Sequence, residues 1–306
     1  MLRVFAGAIA LLTFLSNAVH ADAPKVLATI KPLHALATSV MEGAGKPSLL
    51  LRATASAHTY ALKPSDVQAI QKADLIFWIG PDYESFMAKS MRTLPKNARV
   101  VQMSKISGVT LLATREGGVW EEEDHSHGAH DDSEDDMHLW LDPINAKAIL
   151  AAMSAALGQA DAPNATRYAA NAKAAAAEID ALDAELMTKL APLKDKSFIV
   201  FHDAYQYYEK RYGLSAVGSI TVTPDRTPGP RRLSELRKKI TEQGALCVFS
   251  EPQFTSGLVG TVLSGTKARG GVLDPLGAAA PDGHGGYAGL MRDIANSLSS
   301  CLLAAS

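Results

Sequence analysis

The sequence predicts an α/β protein of two lobes joined by a long helix. Three observations lead there. Between Lys25 and Met103 short apolar runs alternate with helical patterns, as they do where parallel strands are linked by crossover helices. A stretch rich in Ala, Glu, Lys and Leu then passes from Asn164 to Ala191 with neither Gly nor Pro. After Pro192 the strand–helix alternation resumes.

The elements follow in order. "KVLATIKPL" opens with a buried strand, Lys25 to Lys31, and a helix runs through Ala35 to Met41. "PSLLL" is a second strand. "SDVQAIQKA" is a helix whose expected capping box is Ser65 with Gln68, after Pro64. "DLIFWIG" is a third strand, followed by a helix from about Tyr83 to Met91, and "RVVQM" is a fourth. "NATRYAANAKAAAAEIDALDAELMTKL" is expected as one helix of about 25 residues. The strands "SFIVFHD", "ALCVFSE" and "GGVLDP" then precede a C-terminal helix. This places one lobe at 24–160, the linking helix at 161–192 and the second lobe at 193–306. An acidic, His-containing loop spans 116–137. No internal repeat is evident.

The N-terminus has Arg3, an apolar run from Val4 to Leu15, and small residues around Ala21. It reads as a secretory signal peptide over 1–21, cleaved after Ala21 or Ala23. The apolar run is well short of the ~20 residues that span a bilayer. With no Cys beside it, a lipid anchor is not expected, and the mature chain should be free in an exported space. Its two cysteines, Cys247 and Cys301, are most simply one disulfide in an oxidising compartment. Two separate buried thiols are the alternative. A net charge of −2 provides no attraction for nucleic acid.

In open α/β sheets, ligands sit outside the carboxyl ends of the strands. With two lobes the natural site is the cleft where those ends face each other. A long helical link is stiffer than a strand hinge, so large closure motions are not expected. Two of four candidate residues, His202 and Asp274, stand at strand carboxyl ends that point to that cleft. His58 follows the second strand, His138 opens the apolar "HLWLDP", and His202 stands directly after "FIVF". Asp274 ends the strand "GGVLD". Three imidazoles and one carboxylate suit tetrahedral Zn²⁺. Pattern alone leaves the matter open, because spacings of 80, 64 and 72 residues form no local motif and an isolated His is commonly a satisfied polar residue.

At "AHTYALKPSD", "MHLWLDP", "FHDAYQYYEKRYGL", "EPQF" and "LDPLG" the chain resembles the periplasmic zinc-binding proteins of ABC importers, the ZnuA group. The resemblance runs from about Lys25 to Cys301. It implies two Rossmann-like lobes joined by a rigid helix, a metal site in the interlobe cleft, and His58, His138 and His202 as ligands. Manganese-binding relatives usually carry Glu at the third position, so His202 favours zinc. Asp274 matches the carboxylate ligand of the manganese relatives, whereas in zinc members water or another acid can complete the site. The Cys pair also resembles zinc members that carry a disulfide. The implied protein is a periplasmic monomer, not an enzyme, that captures Zn²⁺ for an ABC permease and its ATPase.

Two other readings compete with this one. A zinc hydrolase needs a general base and a substrate pocket, and the sequence holds neither HExxH nor GxSxG. A zinc buffer without a permease would be distinguished by the neighbouring open reading frames. Among the remaining candidates, His34 and His284 read as surface residues and His20 leaves with the signal. Asp203 and Glu251 could orient ligands, or could equally be a helix cap or surface acids.

The segment Glu121 to Asp136 packs nine acids and His125, His127 and His130 into sixteen residues. It holds fewer His than many relatives carry. Either it is an auxiliary metal-binding loop that concentrates Zn²⁺ near the cleft, or it is a solvated acidic loop. Calorimetry on a Glu121-to-Asp136 deletion separates the two. Lost zinc stoichiometry is expected of a binding loop, and an unchanged curve leaves only the solvated one.

Overall fold

The computed structural model describes residues 23–94, 97–115, 135–221, 228–254 and 257–304. The predicted signal peptide and residues 116–134 lie outside them. The first lobe is built from Val26–Ala28 (β1), Lys31–Val40 (α1), Ser48–Leu49 (β2), Pro64–Lys72 (α2), Leu75–Trp78 (β3), Ser85–Met91 (α3) and Arg99–Gln102 (β4). Its four strands are parallel, in the order β2-β1-β3-β4. The central strands β1 and β3 are buried along their whole length, which is why "VLA" and "LIFW" read as continuous apolar runs. Leu112–Ala113 (β5) and Asp135–Asp136 (β6) then form a small antiparallel ladder.

Two helices follow, Pro143–Ala160 (α4) and Ala165–Leu190 (α5). Asp142 caps α4 through its side chain, accepting from the Ile144 amide at 2.8 Å, and Pro143 occupies the first helical position. Uninterrupted helix formers carry α5 through 26 residues. The second lobe comprises Phe198–Val200 (β7), Gln206–Tyr212 (α6), Ala216–Ser219 (β8), Pro230–Glu242 (α7), Cys247–Ser250 (β9), Gly257–Leu263 (α8), Arg269–Val272 (β10) and Gly286–Ala304 (α9). Its sheet is also parallel, ordered β10-β9-β7-β8.

Counted from the first strand of each lobe, both sheets have the order 2-1-3-4. Successive strands are therefore added on opposite sides at β1/β3 in one lobe and at β7/β9 in the other. These are the switch points beside which open α/β sheets bind ligands. The shared topology was not legible as a sequence repeat, because a parallel sheet demands only buried apolar strands and not particular residues.

The lobes do not sit apart. α5 packs against α1 and α4 and also against α9. One apolar core takes in Leu36 of α1, Trp140, Leu182 of α5, Tyr208 of α6 and Leu290 of α9. Hydrogen bonds cross the same seam. The Trp140 indole donates to the Pro275 carbonyl at 2.8 Å and the Tyr287 hydroxyl to the Trp140 carbonyl at 2.9 Å. Buried Lys31 donates to the Ala280 carbonyl at 2.6 Å. A continuous hydrophobic interface of this kind opposes free lobe motion.

One local expectation is corrected. Helix α2 is not capped by Ser65 with Gln68. Its N-cap is Lys63, whose amide donates to the Asp66 carboxylate at 2.8 Å, and the Tyr60 hydroxyl reaches the same oxygen at 2.8 Å. Proline supplies the reason, since Pro64 is itself the first helical residue and shifts the cap upstream.

Cys247 in β9 and Cys301 in α9 are joined, with Cα atoms 6.3 Å apart, a spacing ordinary for a disulfide. The bond ties the last helix to the second sheet across 54 residues. Replacing both cysteines with Ser should lower stability by about 2–4 kcal/mol, to be measured by guanidinium unfolding under oxidising conditions.

Candidate metal centre

The three predicted histidines reach the centre by different local routes. His58 lies in the loop between β2 and α2, where its amide donates to the Ser56 hydroxyl at 3.2 Å. His138 stands before a tight turn, Leu139–Leu141, whose three side chains are buried, so the apolar "LWL" anchors the ring from behind. Asn145 of α4 holds that turn, donating to the Leu139 carbonyl at 3.1 Å and to the Thr110 carbonyl at 3.0 Å. His202 stands one residue beyond β7, at the carboxyl end of a strand buried along its length.

The structure brings these rings together. One nitrogen from each of His58, His138 and His202 falls within 4.8 Å of the other two. Nε2 of His138 and Nε2 of His202 are 3.2 Å apart. Two imidazoles on one tetrahedral Zn²⁺, each about 2.0–2.1 Å from the ion, have their nitrogens about 3.4 Å apart, so the observed pair needs little adjustment. His138 and His202 are 6% and 4% exposed, and His58 is partly buried.

Aromatic rings wall the site. Tyr83 lies edge-on to His58 and to His138, with ring centroids 5.1 and 5.3 Å away. Phe254 flanks His202 at 6.0 Å. The neighbour of Tyr83, Glu84, is wholly buried at the switch point of the first lobe. Its carboxylate accepts from the Ile79 amide at 2.9 Å, the Gly80 amide at 3.0 Å and the Thr29 hydroxyl. Burial nevertheless pushes its carboxyl up to about 7. These bonds tie the ends of β1 and β3 and set where Tyr83 stands.

Two carboxylates reach the far sides of the rings. An Asp136 oxygen lies 2.8 Å from His138 Nδ1, and a Glu251 oxygen lies 2.8 Å from His202 Nδ1. Both acids are buried. Burial, with His202 alongside, holds the His138 imidazole well below its ordinary 6.5, leaving it neutral as a ligand must be. Burial also opposes a proton on His202, but the Glu251 carboxylate, with Asp203 and Asp136 farther off, outweighs it and raises that ring above 6.5. Desolvation lifts Asp136 to about 7, a penalty that a cation bound nearby would relieve.

Other predicted residues fall elsewhere. The Asp274 carboxylate is not a member of the three-imidazole group. It accepts from Gln253 Nε2 at 2.8 Å, from the Leu276 amide at 2.9 Å and from the Ala278 amide, so it organises the loop after β10. Asp203 pairs with Arg115, which also reaches Glu209 at 2.9 Å. His34 contacts the Pro47 carbonyl at 3.1 Å, and half-exposed His284 lies between Glu42 and Glu178. His125, His127 and His130 lie outside the described residues.

Asp136 was missed as a site residue. The sequence reading placed it in the acidic loop, yet it is a buried member of the β5–β6 ladder. Its signal was positional, a carboxylate two residues before His138 next to an apolar run. The loop deletion should accordingly stop at residue 134, since a cut through Asp136 also removes the partner of His138.

Beside His58 and His202 the free space is small. A hollow of about 10 Å³, lined by His58, Tyr83, His202, Glu251, Gln253 and Phe254 among others, holds about one water-sized sphere. That suits a single ion with its remaining coordination rather than an organic substrate.

Residues 26–301 match the family described as ZnuA, zinc-uptake complex component A, periplasmic. The chain is similar to the high-affinity zinc uptake system protein ZnuA of Brucella abortus, at 44% identity over 94% of this chain and 95% of that protein. It is also similar to the protein of the same name from Yersinia pestis, at 33% identity over 94% of each. Its fold is shared with a crystal structure of ZnuA, at a TM-score of 0.78 and 23% identity, covering 92% of this chain and all of that one. On the extent of the family match and the identity to these relatives, the chain belongs to the ZnuA family of zinc-uptake components.

Proposed function

We propose that the chain captures Zn²⁺ in the periplasm through His58, His138 and His202 and delivers it, as a monomer, to an ABC-type permease and its ATPase. The observation that supports this most directly is the meeting of three imidazole nitrogens within 4.8 Å, drawn from segments 80 and 64 residues apart. An all-nitrogen set suits borderline-soft Zn²⁺ better than the harder, oxygen-preferring ions. Asp274 or a water completes the fourth position in this reading. Asp274 Oδ1 is taken by Gln253 and Leu276, whereas Oδ2 accepts only from the Ala278 amide and keeps a lone pair for a cation.

The role is binding and release, not catalysis. A space of one water-sized sphere favours an ion as the cargo. Division into lobes at 24–160 and 193–306, around a linking segment at 161–192, belongs to the same proposal. The packing of α5 against α1, α4 and α9 supports it. His125, His127 and His130 would add a weak auxiliary binding loop beside the main site.

Zinc in about 100-fold excess over its dissociation constant should stabilise the protein by about 2.7 kcal/mol. The His58→Ala, His138→Ala, His202→Ala triple variant should show no zinc-dependent rise in melting temperature and should retain no tightly held zinc on equilibrium dialysis. Retention equal to the parent overturns the assignment.

Affinity should also depend on pH. Because Glu251 raises the His202 pKa above 6.5, zinc must displace a proton there as pH falls into that range. Affinity should therefore begin to weaken above pH 6.5 and then decline by about tenfold per unit for each proton displaced. Chelator competition between pH 8 and 5.5 measures this, and a flat profile contradicts it.

A further inference from the structure

Two buried carboxylates face two of the imidazoles from behind, one in each lobe. Asp136 meets Nδ1 of His138 and Glu251 meets Nδ1 of His202, each at 2.8 Å. We infer that Asp136 and Glu251 are positioning residues that hold both rings as Nδ1–H tautomers, so that both Nε2 lone pairs converge on one point between the lobes. The inference rests on the zinc-capture reading and extends it to residues that do not touch the ion.

Geometry supports it in three ways. Each carboxylate also accepts the backbone N–H of the histidine it serves, at 2.9 Å for His138 and 3.3 Å for His202. Ring and backbone are thus gripped by one group, which leaves the imidazole little freedom to flip. Next, the two Nε2 atoms lie 3.2 Å apart. A ring in the other tautomer would place an N–H at that point and could not bind a cation there.

Finally, the two carboxylates are referenced to one frame. Glu251 follows β9, which pairs with β7, the strand that ends just before His202. Asp136 lies on the β5–β6 ladder, and Tyr207 of α6 fastens that ladder to the second lobe. Its hydroxyl donates to the Asp136 carbonyl at 2.5 Å and accepts from the Leu112 amide at 3.0 Å. His138 is therefore aimed by a carboxylate whose backbone is held from the lobe that carries His202. A carboxylate behind the ring also strengthens the imidazole as a donor to the metal.

The test uses the full chain with Asp136→Ala, Asp136→Asn, Glu251→Ala and Glu251→Gln. Zinc affinity is read by chelator competition, and ring tautomers in the metal-free protein by long-range ¹H–¹⁵N spectroscopy. Each Ala variant should lose about 10–100-fold in affinity. The Asn and Gln variants can still accept from Nδ1–H and should recover part of that loss. In the Ala variants the tautomer pattern should change only for the ring that lost its partner, an effect that general loosening would spread to both rings. If an Ala variant does not fold, its amide counterpart carries the test and should still bind zinc more weakly than the parent. Parental affinity, or unchanged ring tautomers in folded Ala variants, overturns the inference. A parent that binds no zinc through its imidazoles fails the capture reading itself, before any variant is made.

Discussion

His138 and His202 come from opposite lobes, and their Nε2 atoms stand 3.2 Å apart. Two buried imidazoles held that close, with a third beside them, are a poor arrangement without a cation. Their lone pairs cannot all be satisfied by one another. The rest of the molecule can be understood as what holds this juxtaposition in place. Strand β7 is short and fully buried, so the chain leaving it toward His202 has few places to go. The apolar core shared by both lobes fixes the distance between the strand ends.

That shared core has a functional corollary. Two-lobed binders with thin hinges close around a ligand by swinging. Here a 26-residue helix spans the molecule and packs against elements of both lobes, while Trp140, Tyr287 and Lys31 stitch the seam with hydrogen bonds. Ion capture in such a frame calls for local adjustment of side chains more than for rotation of lobes. Affinity then depends on how well the rings are aimed beforehand, because a pre-organised site has less to order on binding. Buried acids behind the rings fit this requirement, and so does Glu84, which spends its hydrogen bonds on the turn that places Tyr83.

Charge is distributed with the same logic. Of the nine acids between Glu121 and Asp136, Asp136 is withdrawn from solvent to face an imidazole. Asp203, adjacent to His202 in sequence, is instead neutralised by Arg115. Asp274 satisfies the loop after β10 and a glutamine of the same lobe. Carboxylates near the centre are thus divided between facing the rings and holding the loops around them.

Much of this was legible in the linear chain. Alternating apolar runs announced parallel sheets, the absence of Gly and Pro announced the long helix, and His58, His138 and His202 each followed a strand or abutted an apolar segment. These are local signals, set by burial and by backbone propensity, and local physics decides them. The capping of α2 by Lys63 and Asp66 was misread because Pro64 moves the helix start by its ring geometry. What no local rule could supply was direction: which carboxylate turns toward a ring, which toward an arginine, and which toward an amide. Composition treats Asp136, Asp203 and Asp274 alike, yet they end in three different environments. That choice depends on groups contributed from tens of residues away, so it exists only once the two lobes have packed.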